Sequence, residues 1–445
     1  MSTEIVENKT NVKVDSDYPL SHVPVDKRKS FFSVAAVLLG ITFFTPTMAA
    51  GAQIGAAFRF SDLIWIMLVG NVILGIYVAI NCSMGAETGL TSVLLSKYTL
   101  GNVGAKWADF LLGGTQVGWY AVVCSYVGAL FAKGLGLPNL EVMFTLFWSL
   151  VFGVTALWGY KAMEKVAYVA IPSLLILVFY VPYLAIRDAG GLAGLNAVAP
   201  ISEMTVATAM TVIVGTFASM GTQACNWSRF SKNSKSAFWA GLIAFLIGNL
   251  LMLFSGVVGA LAYGESDFVI ILMNLGIIFF ALAVLTLNIW TTAHAGAYAF
   301  GVAGAEFFNK PSKTPFVIGG VIIATILACT GFYAHFIPFL VMLGIFIPPL
   351  GGVMMGDYYF TYKRKIPQIK FVTFKSLRIA PVAAYIVGTA IAYITDVNGI
   401  GIPPLQAIIV SIFCVPLFTI ILKQLKYNDM HTIANDVEYV EHPVG

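Results

Sequence analysis

The chain has 445 residues, of which 59% are hydrophobic and only 10% are charged, against roughly 25% Asp, Glu, Lys and Arg in soluble domains. That composition excludes a soluble globular protein, and a net charge of +4 is too small to call for nucleic acid as a partner. Cys82, Cys124, Cys225, Cys329 and Cys414 fall singly in apolar stretches without metal-ligand spacing, so they read as packing thiols.

The first 30 residues are polar and lack the charged start, short apolar run and cleavage site of a signal peptide, so they read as an uncleaved tail. Apolar runs bounded by charge, Gly or Pro then predict spans 1 to 12 at about 31–57, 62–85, 106–132, 140–159, 164–186, 205–228, 236–263, 275–304, 314–334, 336–358, 378–395 and 403–424. The fold class is therefore an all-α polytopic membrane protein. Residues 31–424 form the transmembrane domain in the lipid bilayer, and residues 1–30 and 425–445 are expected to be loosely ordered tails.

Twelve spans put both termini on one face. With the N-terminus inside, 22 of the 25 Lys and Arg residues fall on the inner face, and only Arg59, Lys133 and Arg187 fall outside. This is the asymmetry of the positive-inside rule, and it predicts cytoplasmic termini.

Span 1 is interrupted by Gly40-Ile41-Thr42-Phe43-Phe44-Thr45-Pro46, and span 6 by Gly215-Thr216-Phe217-Ala218-Ser219-Met220-Gly221. Five spans separate the two breaks. Because five is odd, a second copy must run inverted, giving a first repeat at about 31–186, a second at about 205–358, and two extra helices at 378–424. Broken helices at equivalent positions of a 5+5 inverted repeat line midplane sites in carriers, where unwound backbone can face a cavity. The plainer reading is that Gly and Pro only ease packing; two matched breaks favour the repeat.

Every Asp and Glu falls near a span end or in a tail, Asp109 and Asp357 lying closest to the membrane, and no Lys or Arg is placed mid-span. A core so poor in charge suits an uncharged substrate and a cation held by neutral oxygens. In span 3, Gln116 and Trp119 are three residues apart and share a helix face. An amide offers a donor and an acceptor together, and an indole offers a flat surface for a planar heterocycle. The alternative is a Gln bonded to a neighbouring helix beside a packed Trp. The span 6 break adds Phe217 as a second ring, with Thr216 and Ser219 as hydroxyls.

In span 8, Asn288, Thr291 and Thr292 lie at i, i+3 and i+4 on one face. With carbonyls freed by the span 1 break they form an oxygen set suited to Na⁺. The competing reading is that both threonines bond back to their own helix. His294, two positions on, is a candidate proton carrier or a structural histidine.

At these residues the chain resembles the nucleobase:cation symport-1 family, and within it the bacterial cytosine permeases. The resemblance rests on Leu111-Leu112-Gly113-Gly114-Thr115-Gln116-Val117-Gly118-Trp119, Leu287-Asn288-Ile289-Trp290-Thr291-Thr292 and Thr42-Phe43-Phe44. Gly70-Asn71, Gly75-Ile76-Tyr77, Arg229-Phe230, Pro348-Pro349 and Gly351-Gly352-Val353 support it. It implies a leucine-transporter-like fold in a bacterial inner membrane and alternating access coupled to Na⁺ or H⁺. It also implies that Trp119 and Phe217 sandwich a nucleobase, that Gln116 and Ser219 hydrogen-bond it, and that Asn288 and Phe44 border the pocket. Na⁺ is then surrounded by the backbones of Gly40 and Phe43 with Asn288, Thr291 and Thr292. Ala293-His294-Ala295 and Thr45-Pro46-Thr47 depart from the family pattern beside both sites.

The expected function is Na⁺-coupled import of a neutral nucleobase, cytosine first. The alternatives are H⁺ coupling, or a purine, uracil, hydantoin or thiamine-precursor pyrimidine as cargo. No resident cofactor or obligate protein partner is expected. An enzyme is disfavoured, since the spans carry no paired mid-membrane carboxylates, metal-spaced His or Cys, or Ser with a His and acid partner.

Overall fold

A computed structural model describes residues 22–440 apart from 158, 159, 309 and 311. Each of the twelve expected spans coincides with helix. Span 1 is two helices, Phe31–Thr42 and Thr45–Gly55, bent by 55°. Span 2 is Phe60–Thr88, span 4 is Glu141–Leu157, span 5 is Tyr160–Asp188 and span 6 is Val206–Thr222. Span 7 runs from Ser234 to Tyr263 through a π-helical turn at Ala244–Gly248. Spans 8 and 9 are Ile278–Phe307 and Thr314–Cys329, span 10 is Phe336–Phe346 followed by Pro348–Gly356, and spans 11 and 12 are Ile379–Val397 and Pro403–Gln424.

The ends of these helices follow local chemistry. Thr91, Thr205 and Asn233 each accept a hydrogen bond from the backbone N–H three residues on, satisfying a first-turn donor. Gly89 and Gly264 close spans 2 and 7 in the left-handed conformation.

Span 3 is longer than its apolar run predicts. The helix starts at Ser92 and continues to Gly134 across a kink at Gly101, with φ 85° and ψ 176°. At the kink the N–H groups of Asn102 and Val103 donate to the carbonyls of Lys375 and Ser376 at 2.9 and 2.7 Å. A side chain on Gly101 would run into those carbonyls, so glycine is needed there for both conformation and space.

Two groups of helices pack around the centre. Spans 1, 2, 6 and 7 contact one another, with span 1 on span 7 matched by span 6 on span 2, the pairing an inverted repeat requires. Spans 3, 4, 8 and 9 form the second group, and spans 11 and 12 pair beside span 10. Backbones approach closely: a Cβ on Gly256 would strike the Met48 carbonyl, so span 7 can lie directly on span 1.

The loops segregate as the charge count requires. At one end, Val23 N donates to Gly89 O at 3.1 Å, and Arg28 reaches Ala86 O and Ser231 O. Arg364 pairs with Glu87, and Arg378 with Asp357. At the other end, Ile201 N donates to Ala56 O, Tyr263 donates to Asp188, and Lys133 pairs with Asp267.

The expectation of loose tails is corrected for residues 23–29, where Val23 and Arg28 are buried in the contacts above, and for residues 428–440. A two-residue strand, Thr432–Ile433, pairs antiparallel with Val372–Thr373 in the loop between spans 10 and 11. Asp429 accepts from the N–H groups of Ile379 and Ala380 at 2.8 and 3.0 Å, capping span 11. His431 Nδ1 accepts from Lys375 N at 3.1 Å while Nε2 lies 2.8 Å from Tyr98 O. These contacts bind the segment to regions distant in sequence, so local polarity alone misreads it.

Candidate substrate and cation site

The span 1 break sits at Phe43, in a tight turn at φ −75° and ψ 78°, and Phe44, whose backbone is extended, and together they interrupt the helix before Pro46. Phe44 N donates to Thr42 O at 2.9 Å instead of reaching back four residues to Gly40 O, leaving last-turn carbonyls open. Asn288 of span 8 spans the gap. Its Nδ2 donates to Phe43 O at 2.9 Å, and its Oδ1 accepts from Thr45 N at 3.2 Å and Thr45 Oγ1 at 2.8 Å. One amide thus satisfies backbone on both sides of the break, which lipid cannot do.

The span 6 break is narrower than the sequence predicts. The helix continues from Val206 to Thr222 with only Phe217 outside helical geometry, at φ −131° and ψ 16°. Across from it, Gln116 Nε2 donates to Ser219 Oγ at 3.2 Å, joining the amide of span 3 to the hydroxyl of span 6. Phe44 makes edge contacts with both Trp119 and Phe217, at ring centroid distances of 5.1 and 6.0 Å. The three rings and both polar side chains are buried. In this state Phe44 is the ring that Trp119 and Phe217 share.

Thr216 turns elsewhere. Its hydroxyl donates to Ile213 O at 2.6 Å and stands 3.4 Å from Asn249 Oδ1, whose amide donates to Asn71 at 2.8 Å. This neutral chain ties spans 2, 6 and 7 together. Residues three apart share a face only in a regular helix, and the irregular Phe217 lies between Thr216 and Ser219.

Thr291 and Thr292 both donate to Asn288 O, at 2.7 and 3.1 Å, as the competing reading of these residues held. A donating hydroxyl keeps its lone pairs, so back-bonding orients these oxygens without removing them as ligands. Through the Asn288 backbone carbonyl they stand one residue's length from the span 1 break that the Asn288 side chain bridges. His294 is buried, and neither ring nitrogen finds a hydrogen-bond partner among the described residues.

Three neighbours were absent from the sequence-based set. Thr115 lies 3.0 Å from Ser219 Oγ, Gln223 Nε2 lies 3.2 Å from the same atom, and Thr45 meets Asn288. Gln223 follows Ser219 by one helical turn, a spacing the sequence displays. Thr115 stands beside the more conspicuous Gln116, and only the approach of span 6 gives its hydroxyl a role.

Comparison with known proteins decides the family. A family model described as a permease for cytosine/purines, uracil, thiamine and allantoin matches residues 22–408. The chain belongs to this permease family, the nucleobase:cation symport-1 carriers. It is 33% identical over 426 residues to the cytosine permease of Escherichia coli strain K12, covering 95% of this chain and 99% of that one. The fold is that of Mhp1. An inward-facing Mhp1 structure superposes with a TM-score of 0.77 at 17% identity, over 91% of this chain and 93% of that one. Mhp1 in a closed conformation with bromovinylhydantoin bound gives 0.75 at 16% identity, over 91% and 96%. This permease is therefore a multi-pass membrane transporter, not an enzyme.

Proposed function

We propose that this permease imports cytosine by Na⁺ symport across a bacterial inner membrane, with both termini cytoplasmic. The observation that carries the reading is Asn288. Its side chain holds the span 1 break, and its carbonyl receives both threonine hydroxyls. A cation among these oxygens and a base against Phe44 would then act on one segment of backbone. In this reading Trp119, Phe217 and Phe44 supply aromatic surface, while Gln116 and Ser219 supply hydrogen bonds. Thr216 acts from behind, through Asn249. Na⁺ is cargo, held by the carbonyls of Gly40 and Phe43 with Asn288, Thr291 and Thr292.

The neutrality of the centre supports an uncharged base and a coupling ion that supplies the only net charge. At a membrane potential of 100 mV, one co-transported charge gains about 2.3 kcal/mol, which supports roughly 50-fold accumulation. The range of substrates handled by the family keeps purines and uracil as the second reading, and Mhp1 with its bromovinylhydantoin adds hydantoins.

The test is a competition uptake panel in proteoliposomes, run with Na⁺ and with choline at fixed pH. Cytosine is expected to compete best and uptake to collapse in choline. Equal uptake in choline overturns Na⁺ coupling, and stronger competition by a purine or hydantoin overturns the choice of base.

A further inference from the structure

The direction of the hydrogen bonds around Ser219 is fixed by counting protons. Thr115 Oγ1 has one proton and donates it to Leu112 O at 2.9 Å. In its 3.0 Å contact with Ser219 Oγ, where distance alone allows either hydroxyl to donate, Thr115 accepts and Ser219 donates, because Ser219 has no lone pair left to receive a third donor. The two lone pairs of Ser219 face two amide donors, Gln116 Nε2 and Gln223 Nε2, each at 3.2 Å. Every hydrogen-bonding position of the Ser219 hydroxyl is thus assigned.

We propose that Thr115 is a specificity-determining residue: by taking the Ser219 proton it leaves Ser219 able to meet cargo only as an acceptor. The carrier then selects heterocycles that present an N–H at that position over isosteric ones that present a carbonyl. The proposal rests on the reading of Gln116 and Ser219 as cargo-binding residues. A bound base would complete a chain of donors running from its own N–H to Ser219 Oγ, from the Ser219 hydroxyl to Thr115 Oγ1, and from the Thr115 hydroxyl to Leu112 O.

To enter this chain the base must replace one amide at Ser219. Gln223 is the one that can yield. Its Nε2 also lies 3.4 Å from Ser219 O, so it keeps a partner after releasing the hydroxyl, and its side chain is half-buried. Gln116 is buried and held against the same hydroxyl. Its Oε1 looks toward Gly296, where the missing side chain leaves room, so a second acceptor stands beside the first. A carbonyl brought to these two oxygens would leave acceptors facing one another without a proton between them, a mismatch that buried sites reject strongly.

The experiment uses full-length purified carrier and ligand pairs in which an amine becomes a carbonyl and the adjoining ring nitrogen gains a proton: cytosine with uracil, and adenine with hypoxanthine. Affinities come from competition binding. Wild type is expected to prefer the amine member of its better-bound pair by at least roughly tenfold, the worth of one buried hydrogen bond. Thr115→Val keeps the shape and frees the Ser219 proton, so the preference should fall about tenfold, mainly through gain by the carbonyl member. Thr115→Ser retains the hydroxyl and should restore the preference, which a purely packing role for the methyl group would not. Thr115→Ala carries the same test if the valine variant does not fold.

No preference in wild type, or an unchanged preference in the hydroxyl-free variants, overturns the role of Thr115. Ser219→Ala separates that failure from failure of the site reading. If it alters cytosine affinity while the Thr115 variants keep their preference, only Thr115 is misassigned. If it leaves all affinities unchanged, the cargo site lies elsewhere and both readings fall.

Discussion

At the centre of the bundle, neutral hydrogen bonds join Asn288 to Thr45 and Phe43, and Ser219 to Gln116 and Thr115. At the end where the tails dock, Arg378 with Asp357 and Arg364 with Glu87 meet as ions. Both regions bury polar groups, but the strengths differ. A neutral intramolecular hydrogen bond contributes about 0.5–1.5 kcal/mol net, which a ligand group can replace. Removing one partner of a fully buried ion pair such as Arg378 with Asp357 costs about 3–5 kcal/mol, and less where solvent reaches one partner, as at Arg364. The centre is built for exchange, whereas the tail-bearing end is fastened.

The sharpest test of that contrast is Arg378. Its guanidinium is 0% exposed and binds Asp357 through two bonds of 2.6 and 2.9 Å, with further bonds to Tyr98 O and Asp429 O. Arg378→Gln strands a buried carboxylate, and the loss of stability should reach about 3–5 kcal/mol. The unfolding midpoint of purified protein in detergent measures it. A loss under 1 kcal/mol would erase the distinction between the two regions.

Next in size is the pH dependence of the C-terminal segment. Burial, and then the nearby positive charge of Arg378, push the His431 imidazole down to about 4. The geometry agrees, because Nδ1 accepts from Lys375 N and has no room for a proton. Asp429 is the facing group of opposite sign, and it acts against the shift. A lowered folded-state value means stability is fully present above the ordinary value near 6.5 and is lost as pH falls from there toward about 4. At most about 3 kcal/mol is at stake. Amide protection across residues 428–440, corrected for the intrinsic exchange rate at each pH, should therefore fall between pH 6.5 and 4, and His431→Phe should flatten that response. The same loss of protection in His431→Phe would assign it to another group.

How much of this was legible in the sequence depended on the range of the forces involved. The spans were readable because the bilayer imposes length and apolarity locally, and the uneven distribution of Lys and Arg supported their number. The span 1 break was marked by Pro46, and the shared face of Asn288, Thr291 and Thr292 followed from helical spacing. The meeting of Gln116 with Ser219 was implied by resemblance, and the structure brings their atoms to 3.2 Å. Three features were hidden. The docking of Asp429 and His431 depends on Arg378, Lys375 and Tyr98, to which no local pattern points. The turning of Thr216 toward Asn249 accompanies one irregular residue, Phe217. Thr115 matters only because Ser219, 104 residues away, needs a place for its proton.

The smallest expected effect lies at the opposite end, between Lys133 and Asp267. Both side chains are partly open, at 33% and 21% exposure, so solvent screens the attraction and ordering the long lysine side chain offsets part of it. Asp267 also has a second task, accepting from Val269 N at 2.9 Å at the start of a short helix, and it keeps that task when the lysine is gone. Lys133→Met should therefore cost less than about 1 kcal/mol, read by the same unfolding midpoint as Arg378→Gln and reduced further at high salt. A loss as large as that of Arg378→Gln would mean that this end is fastened too. The carrier would then have an ionic closure at each end, and the neutral centre would be the only part of the pathway free to exchange its partners at low cost.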